Sequence, residues 1–296
     1  MNTIFNIAFN QEHQALLTRF QSSVTDKERL DHFVAIIWHY YEHHKRDFAW
    51  RSNPTPYNVL VSEIMLQQTQ TYRVAEKFDP FIAAFPDFAS LATAPFTEVL
   101  RLWKGLGYNR RALNLQKAAQ FIVTEHNGTL PTNPTILQTF PSIGPATAHS
   151  IITYAFNQPT TFIETNVRTV FIYFFFKKHT AITDKMLEPL VTATADQHNP
   201  REWYYALMDY GVMLKAEVGN LSRLSAHYTK QSKFSGSDRQ IRGMILQTLL
   251  DQPGIHVHLL PETLNKEPER VERMVRDLCK DGLVMVANET LWLANT

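Results

Sequence analysis

The sequence predicts a mainly α-helical protein with a winged-helix-like module at its C-terminal end. Three observations predict it. Short helical patterns of apolar residues follow one another through roughly the first 230 residues. Few segments alternate at period two and no βαβ order is sustained, which argues against a parallel sheet. At 229–238 the polar run TKQSKFSGSD interrupts the apolar pattern as a linker, and the residues beyond it follow a different order of elements.

Taken in order, residues 1–28 read as a polar, weakly amphipathic extension. From Leu30 to His44 the residues Leu30, Phe33, Ile36, Ile37, Tyr40 and Tyr41 recur at helical spacing. Residues 46–57 hold two prolines and a Trp50-Arg51 pair and read as a loop. Helices are expected over about 57–71, 73–84, 87–92, 96–102, 108–126, 134–139, 145–156, 165–177, 184–195 and 200–213, most of them separated by Pro, Gly or Asx residues. The tail then offers helices at 239–250, 259–264 and 268–280, a strand at 283–286, a turn at 287–290 and a strand at 291–293. Its third helix is expected to bury Val271, Met274, Val275 and Leu278. The opposite face shows Arg273, Arg276 and Lys280, suited to phosphates or equally to a solvated protein-binding face, because Glu269, Glu272 and Asp277 dilute the charge. The expected domains are the extension at 1–28, a large helical domain at 29–232 with an irregular loop at 213–231, and the module at 237–296.

At 296 residues, 44% hydrophobic and 19% charged, the composition is that of an ordinary globular protein. No apolar run approaches the roughly 20 residues that span a bilayer, and the opening residues lack the basic-then-apolar pattern of a secretory signal. The single Cys279 excludes an intramolecular disulfide and a cysteine-ligated metal cluster. The expected location is the cytoplasm, at the nucleoid in a prokaryote. A net charge of +1 does not announce a nucleic acid, so contact with phosphates has to rest on a local patch and on main-chain N–H groups.

Three segments carry chemistry. In PYNVLVSEIMLQQTQ (56–70), Tyr57, Leu60, Val61, Ile64 and Gln68 share one helical face, while Glu63 lies on a neighbouring face with Val59, Leu66 and Gln67. A carboxylate flanked by Val61, Ile64 and Met65 is a candidate for the raised pKa of a general acid, against the plainer reading of an exposed helix glutamate. In LQTFPSIGPATA (137–148) one helix stops at Pro141, a turn runs through Ser142–Gly144, and a new helix starts near Pro145. Such a turn aims the N–H groups of a helix N-terminus at an anion, or is simply a structural corner. In FIETNVRTV (162–170), Glu164 precedes an amphipathic helix whose N-terminus favours an ionised carboxylate, the alternative being an ordinary helix cap. Two carboxylates suit glycosidic cleavage, one donating a proton to the leaving group and the other stabilising or attacking the cationic sugar.

The segments SEIMLQQTQ, RLWKGLGYNRRALNLQKAA, FPSIGPATA, ETNVRTV and MDYGVMLK resemble, in order and spacing, those of the MutY-type adenine glycosylases of the helix-hairpin-helix superfamily. The resemblance covers roughly residues 48–231. It implies a two-subdomain helix-hairpin-helix DNA glycosylase fold, duplex DNA with a mismatched or damaged base as partner, and a monomer. It puts the catalytic glutamate at Glu63 and stack-entering residues at Leu66, Gln67 and Gln68. The hairpin falls at Phe140–Gly144, and the Trp-Arg entry at Trp50 and Arg51. Tyr108, Ser142, Gly144, Ala146, Thr147 and Asn166 fall at further positions expected to contact DNA or base.

The departures are as informative. The family's second carboxylate is usually an aspartate in D-G-N-V; here Glu164 opens ETNV, one methylene longer. Where bifunctional members carry a lysine after the hairpin stands Ala146, which implies a monofunctional enzyme without efficient strand cleavage. Family members often hold an iron–sulfur cluster on C-x6-C-x2-C-x5-C; the same spacing here lands on Lys215, Ser222, Ser225 and Gln231, so no cofactor is expected. The tyrosine pair after the G-L-G turn is Tyr108-Asn109, and the tail is too short for the family's Nudix-like domain. The leading reading is a monofunctional glycosylase releasing adenine opposite 8-oxoguanine or guanine. The alternatives are a thymine or uracil mismatch glycosylase of the same superfamily and a non-catalytic lesion-binding protein.

Overall fold

The computed structural model describes residues 11–226, 228–230 and 233–294; residues 1–10 of the expected extension, and His227 and Gln231 of the expected loop, lie outside the described residues. The helices are α1 (Gln11–Ser22), α2 (Asp26–His44), α3 (Ala49–Ser52), α4 (Pro56–Leu66), α5 (Thr71–Ala84), α6 (Phe88–Thr93), α7 (Phe96–Trp103), α8 (Arg110–Glu125) and α9 (Pro134–Leu137). There follow α10 (Pro145–Phe156), α11 (Thr165–Phe175), α12 (Asp184–Thr194), α13 (Pro200–Glu217), α14 (Asp238–Asp251), α15 (Leu260–Leu264) and α16 (Pro268–Lys280). Among the described residues the strands are β1 (Ile255–His256), β2 (Val284–Ala287) and β3 (Thr290–Leu293), all in the tail. Among the described residues no helix is long and apolar enough to cross a membrane.

The chain divides into two compact units. The first takes the residues up to Phe48, Thr132–Thr135 and Gly144–Lys230, and thus α1, α2 and α10–α13. Its core is aromatic: Phe33 meets Phe171 at 5.0 Å and Trp203 at 6.2 Å between ring centroids, and all three are fully buried. The expected polar extension is in part a helix. Phe20 on α1 packs edge-on against Phe174 at 5.0 Å, His13 is buried beside Tyr40 and Tyr210, and Leu16 and Leu17 lie half-buried on the same face, so four side chains at i, i+3, i+4 and i+7 seat it. α2 begins at Asp26 rather than Leu30, because Thr25 and Glu28 form a reciprocal capping box.

The second unit takes Ala49–Pro131, Ile136–Ile143 and the chain from Gln231 onward. Trp103, Phe81, Leu60 and Ile64 are at most 1% exposed at its centre. Thr55 caps α4 and Pro56 occupies its first turn, where the missing N–H costs nothing. The residues 49–52 within the expected loop close a single helical turn that buries Trp50 against Phe78. The helix expected to run to 71 stops at Leu66, since Gln68 adopts a left-handed φ of 53°.

The tail has the order of a winged helix, with the four expected apolar residues of α16 buried. Its sheet runs β1-β3-β2, all antiparallel, and β1 is a strand that the apolar pattern did not announce. The two-residue turn between β2 and β3 has positive φ at both Asn288 and Glu289, the twist that a tight hairpin prefers. Asp281 of the tail accepts from Arg110 on α8 at 3.0 Å, which ties the tail to the rest of this unit, and from Arg242 within the tail. Arg101 also donates to the Leu250 carbonyl at 3.3 Å.

Candidate active site

Glu63 is the only charged residue of α4, and ten of the helix's eleven residues carry no formal charge for an elementary reason: most of them are buried. Val59, Leu60, Val61, Ile64 and Met65 are at most 2% exposed, whereas Glu63 is half-buried. The helix is covered almost all round, so Glu63 sits on a narrow accessible strip and not on a broad solvated face. A carboxylate in that setting loses part of its hydration.

The chain just beyond Leu66 is held by Arg111, a buried residue that pattern reading passed over. Its guanidinium donates through Nη1 to the carbonyls of Ile64, Met65 and Gln67 at 2.8, 2.9 and 2.6 Å. Through Nη2 it donates to Thr69 Oγ1 at 2.9 Å and to the carbonyls of Leu106 and Gly107 at 3.2 and 3.0 Å. The last carbonyls of a helix have no intrahelical donor, and a cation there also suits the helix dipole. Burial lowers the Arg111 pKa to about 10, with Tyr108 pulling the other way, so the group stays cationic near neutral pH. The only signal in the sequence is a second arginine after a Gly-x-Gly turn, which does not distinguish a buried clamp from a surface charge.

The residues expected to probe DNA cluster around this clamp. Gln67 Nε2 donates to the Ser142 carbonyl at 3.0 Å, and Asn114 Nδ2 donates to the Ser142 hydroxyl. Ser142 itself is left-handed, with φ 66°, at the tip of the turn closed by Ile143 N–H on the Phe140 carbonyl. Leu66 is half-buried, Gln68 exposed, and Tyr108 exposed with φ 49°, directly after Gly107, which like Gly105 has positive φ. Arg51 lies half-buried on α3.

The other expected residues belong to the first unit. Gly144 is the N-cap of α10 and Pro145 its first residue; the first intrahelical donor is Ala148, so the N–H groups of Ala146 and Thr147 precede the ladder. Glu164 caps α11: its Oε1 accepts from the N–H groups of Asn166 at 2.7 Å and Val167 at 2.9 Å. Asn166 also donates its amide to Glu164 Oε2 at 3.3 Å. Burial pushes the Glu164 pKa up, while those N–H groups and Arg168 pull it down. The helix terminus therefore does not keep this carboxylate as acidic as the sequence led one to expect, because desolvation outweighs it. Gly211 on α13 makes the arrangement close: a Cβ there would lie 2.6 Å from the Asn166 carbonyl and 2.7 Å from its Cβ. The glycine of MDYGVMLK thus lets α13 meet the start of α11.

The positions of the family's cluster cysteines do other work. Ser222 shares a hydrogen bond of 3.0 Å with Thr169, and Ser225 pairs with Ile182 in an isolated bridge flanked by two main-chain bonds of 3.0 and 2.9 Å. Lys215 is exposed near the end of α13, which runs on to Glu217, and Gln231 lies outside the described residues. Hydroxyl and ammonium groups do not replace thiolates on iron, so the residues present do not fit an iron–sulfur cluster.

Comparison with known proteins places these features. Residues 61–193 match the family model for the HhH-GPD superfamily base excision DNA repair proteins. An adenine DNA glycosylase of Mycolicibacterium smegmatis is 30% identical over 264 residues, covering 83% of this chain and 90% of that one. The chain belongs to the adenine DNA glycosylase family. Other family members are similar over a shorter stretch: 32% identity over 187 residues with the Buchnera aphidicola subsp. Baizongia pistaciae enzyme, and 36% over 151 with that of Mycobacterium tuberculosis. The chain spans about half the length of these two relatives, 52% and 49%. Among solved structures a thermostable thymine-DNA glycosylase aligns with TM-score 0.58 and 24% identity over 68% of this chain and 97% of that one. A trapped endonuclease III–DNA intermediate aligns with TM-score 0.50 and 18% identity over 64% and 86%. These two likenesses establish the helix-hairpin-helix glycosylase fold that the family motifs imply.

Proposed function

We propose that this member of the family is a monofunctional DNA glycosylase that hydrolyses the N-glycosidic bond of adenine paired with 8-oxoguanine or guanine. The observation that carries the reading is Glu63, a lone carboxylic acid in an otherwise uncharged, buried helix whose C-terminal end is fixed by Arg111. Adenine is a poor anionic leaving group. A proton delivered from Glu63 to a ring nitrogen lets the base depart neutral, with the electrons of the C1′–N bond going to the base. The sugar is left cationic; the Glu164 carboxylate is assigned the offset of that charge, and water adds at C1′ and loses a proton to give an abasic site. The base must leave the stack before any of this, at a cost of a few kcal/mol. Residues Leu66–Gln68 and Tyr108 are assigned that work, and the N–H groups of Ala146 and Thr147 are assigned a phosphate. With Ala146 in place of an amine, no Schiff base forms there and the strand stays uncut. No cofactor is required, and the chain acts as a monomer on duplex DNA.

The test is single-turnover release of base from duplexes carrying A opposite 8-oxoguanine, A opposite G, T opposite G and U opposite G, with the released base identified. Free adenine from the first two supports the reading. Release confined to thymine or uracil assigns the pocket to a mismatch pyrimidine, and no release from any duplex refutes a glycosylase.

A further inference from the structure

The third helix of the winged-helix-like module is the one whose cations invite a nucleic acid in the sequence, yet its arginines are already engaged. Arg273 donates to Asp238 at 3.1 Å and Arg276 lies 3.8 Å from Glu272. The first helix of the module, α14, is placed differently. With the Gly105–Tyr108 turn and the 67–70 segment it encloses a groove of about 900 Å³. Six cationic side chains line the groove against one carboxylate, Asp281, which Arg110 and Arg242 already share. In a chain with a net charge of +1, this is a strong local concentration of positive charge.

Its polar and aromatic groups narrow the ligand further. Tyr108 presents an exposed ring on a left-handed residue, and exposed Phe234 of the linker stands on the same groove. Arg239 of α14 donates from Nη1 to the Tyr108 hydroxyl at 3.0 Å, and its guanidinium carbon lies 5.6 Å from the ring centroid. Arg111 lies at the same distance from that ring. Gln67, Gln68 and Asn114 add amides that can meet base edges. Cations for phosphates beside aromatic faces for bases are the chemistry of a groove for unpaired nucleotides.

We propose that α14 forms one wall of a DNA groove, with Arg239 holding the Tyr108 ring as the platform on which an unstacked base rests, and with Arg73 and Lys104 across the groove for phosphates. The proposal rests on the DNA-binding half of the function argued above and not on catalysis. It makes the tail part of the recognition surface and Arg239 a specificity-determining residue.

The probe is a duplex with 2-aminopurine opposite an uncleavable abasic-site analogue, bound by the full chain. Arg239→Ala is expected to weaken binding about tenfold, the scale of one stacked base or cation–π contact, and to return the 2-aminopurine emission toward that of free duplex. Tyr108→Leu does the same, and the double variant falls no further than either single one. Arg239→Lys, which keeps the charge, retains the affinity for perfectly paired duplex and serves where Arg239→Ala melts early. Wild-type affinity and emission in both Arg239→Ala and Tyr108→Leu would overturn the proposal. Because the probe cannot be cleaved, a chain that releases no adenine but shows the Arg239 effect fails the glycosylase reading and leaves this one standing.

Discussion

At the scale of single residues, the two glutamates differ in kind. Glu63 is the exception in an apolar helix, while Glu164 spends both carboxylate oxygens on the start of its own helix. The pKa of Glu164 is raised chiefly by burial, which has a consequence for stability. The folded chain holds this proton more tightly than the unfolded one. Its contribution is therefore fully present below the ordinary glutamate value of about 4.3 and is lost as pH rises through the raised folded value. Glu164→Gln keeps an acceptor for the two N–H groups and removes the titration. Urea denaturation of both proteins across this range is expected to show wild type losing stability relative to the variant as pH rises. A difference that stays flat with pH contradicts the assignment. Glu63 and Glu164 were both legible in the sequence as residue types in family positions. That desolvation dominates at Glu164 was not, because it depends on what surrounds the carboxylate.

At the scale of elements, Arg111 joins three of them: the end of α4, the 67–70 segment and the Gly105–Tyr108 turn. Arg111→Ala leaves several buried carbonyls without a donor and is expected to cost about 2–3 kcal/mol. Arg111→Lys recovers only part of this, since one ammonium cannot span both sets of acceptors. Chemical denaturation followed by tryptophan fluorescence measures it, and a loss within about 0.5 kcal/mol, the size of an ordinary surface substitution, would mean that the clamp is dispensable. The helices themselves were mostly readable from apolar spacing and from Pro, Thr and Asp at their starts. Their ends were not. α4 was expected to run to 71, but three carbonyls turned toward Arg111 and a left-handed Gln68 end it at Leu66. The stripe of α1 was present in the sequence as His13, Leu16, Leu17 and Phe20 at i, i+3, i+4 and i+7, and reading the segment as a polar extension passed it over because one of its anchors is a histidine. β1 has two residues and exists only through pairing with β3, a non-local partner that no local pattern announces.

At the scale of the whole molecule, near-neutral charge does not argue against DNA, because six cationic side chains are gathered on one groove of the second unit. The sequence showed the tail's change of grammar and its winged-helix order. It did not show that Arg273 of the third helix pairs with Asp238, because that contact links residues 35 apart in sequence. The 213–231 segment likewise shows how a family feature is replaced: Ser222 and Ser225 hydrogen-bond to protein where relatives often carry cysteines. Whether Glu63 on α4 drives the departure of a purine is measured by single-turnover kinetics on a duplex with A opposite 8-oxoguanine. Wild type and Glu63→Gln are compared with and without alkali. Wild type is expected to give strand breaks only after alkali, and the variant a rate at least about 10²-fold lower, as for loss of a general acid. Equal rates in the two proteins, with both folded, would contradict that role.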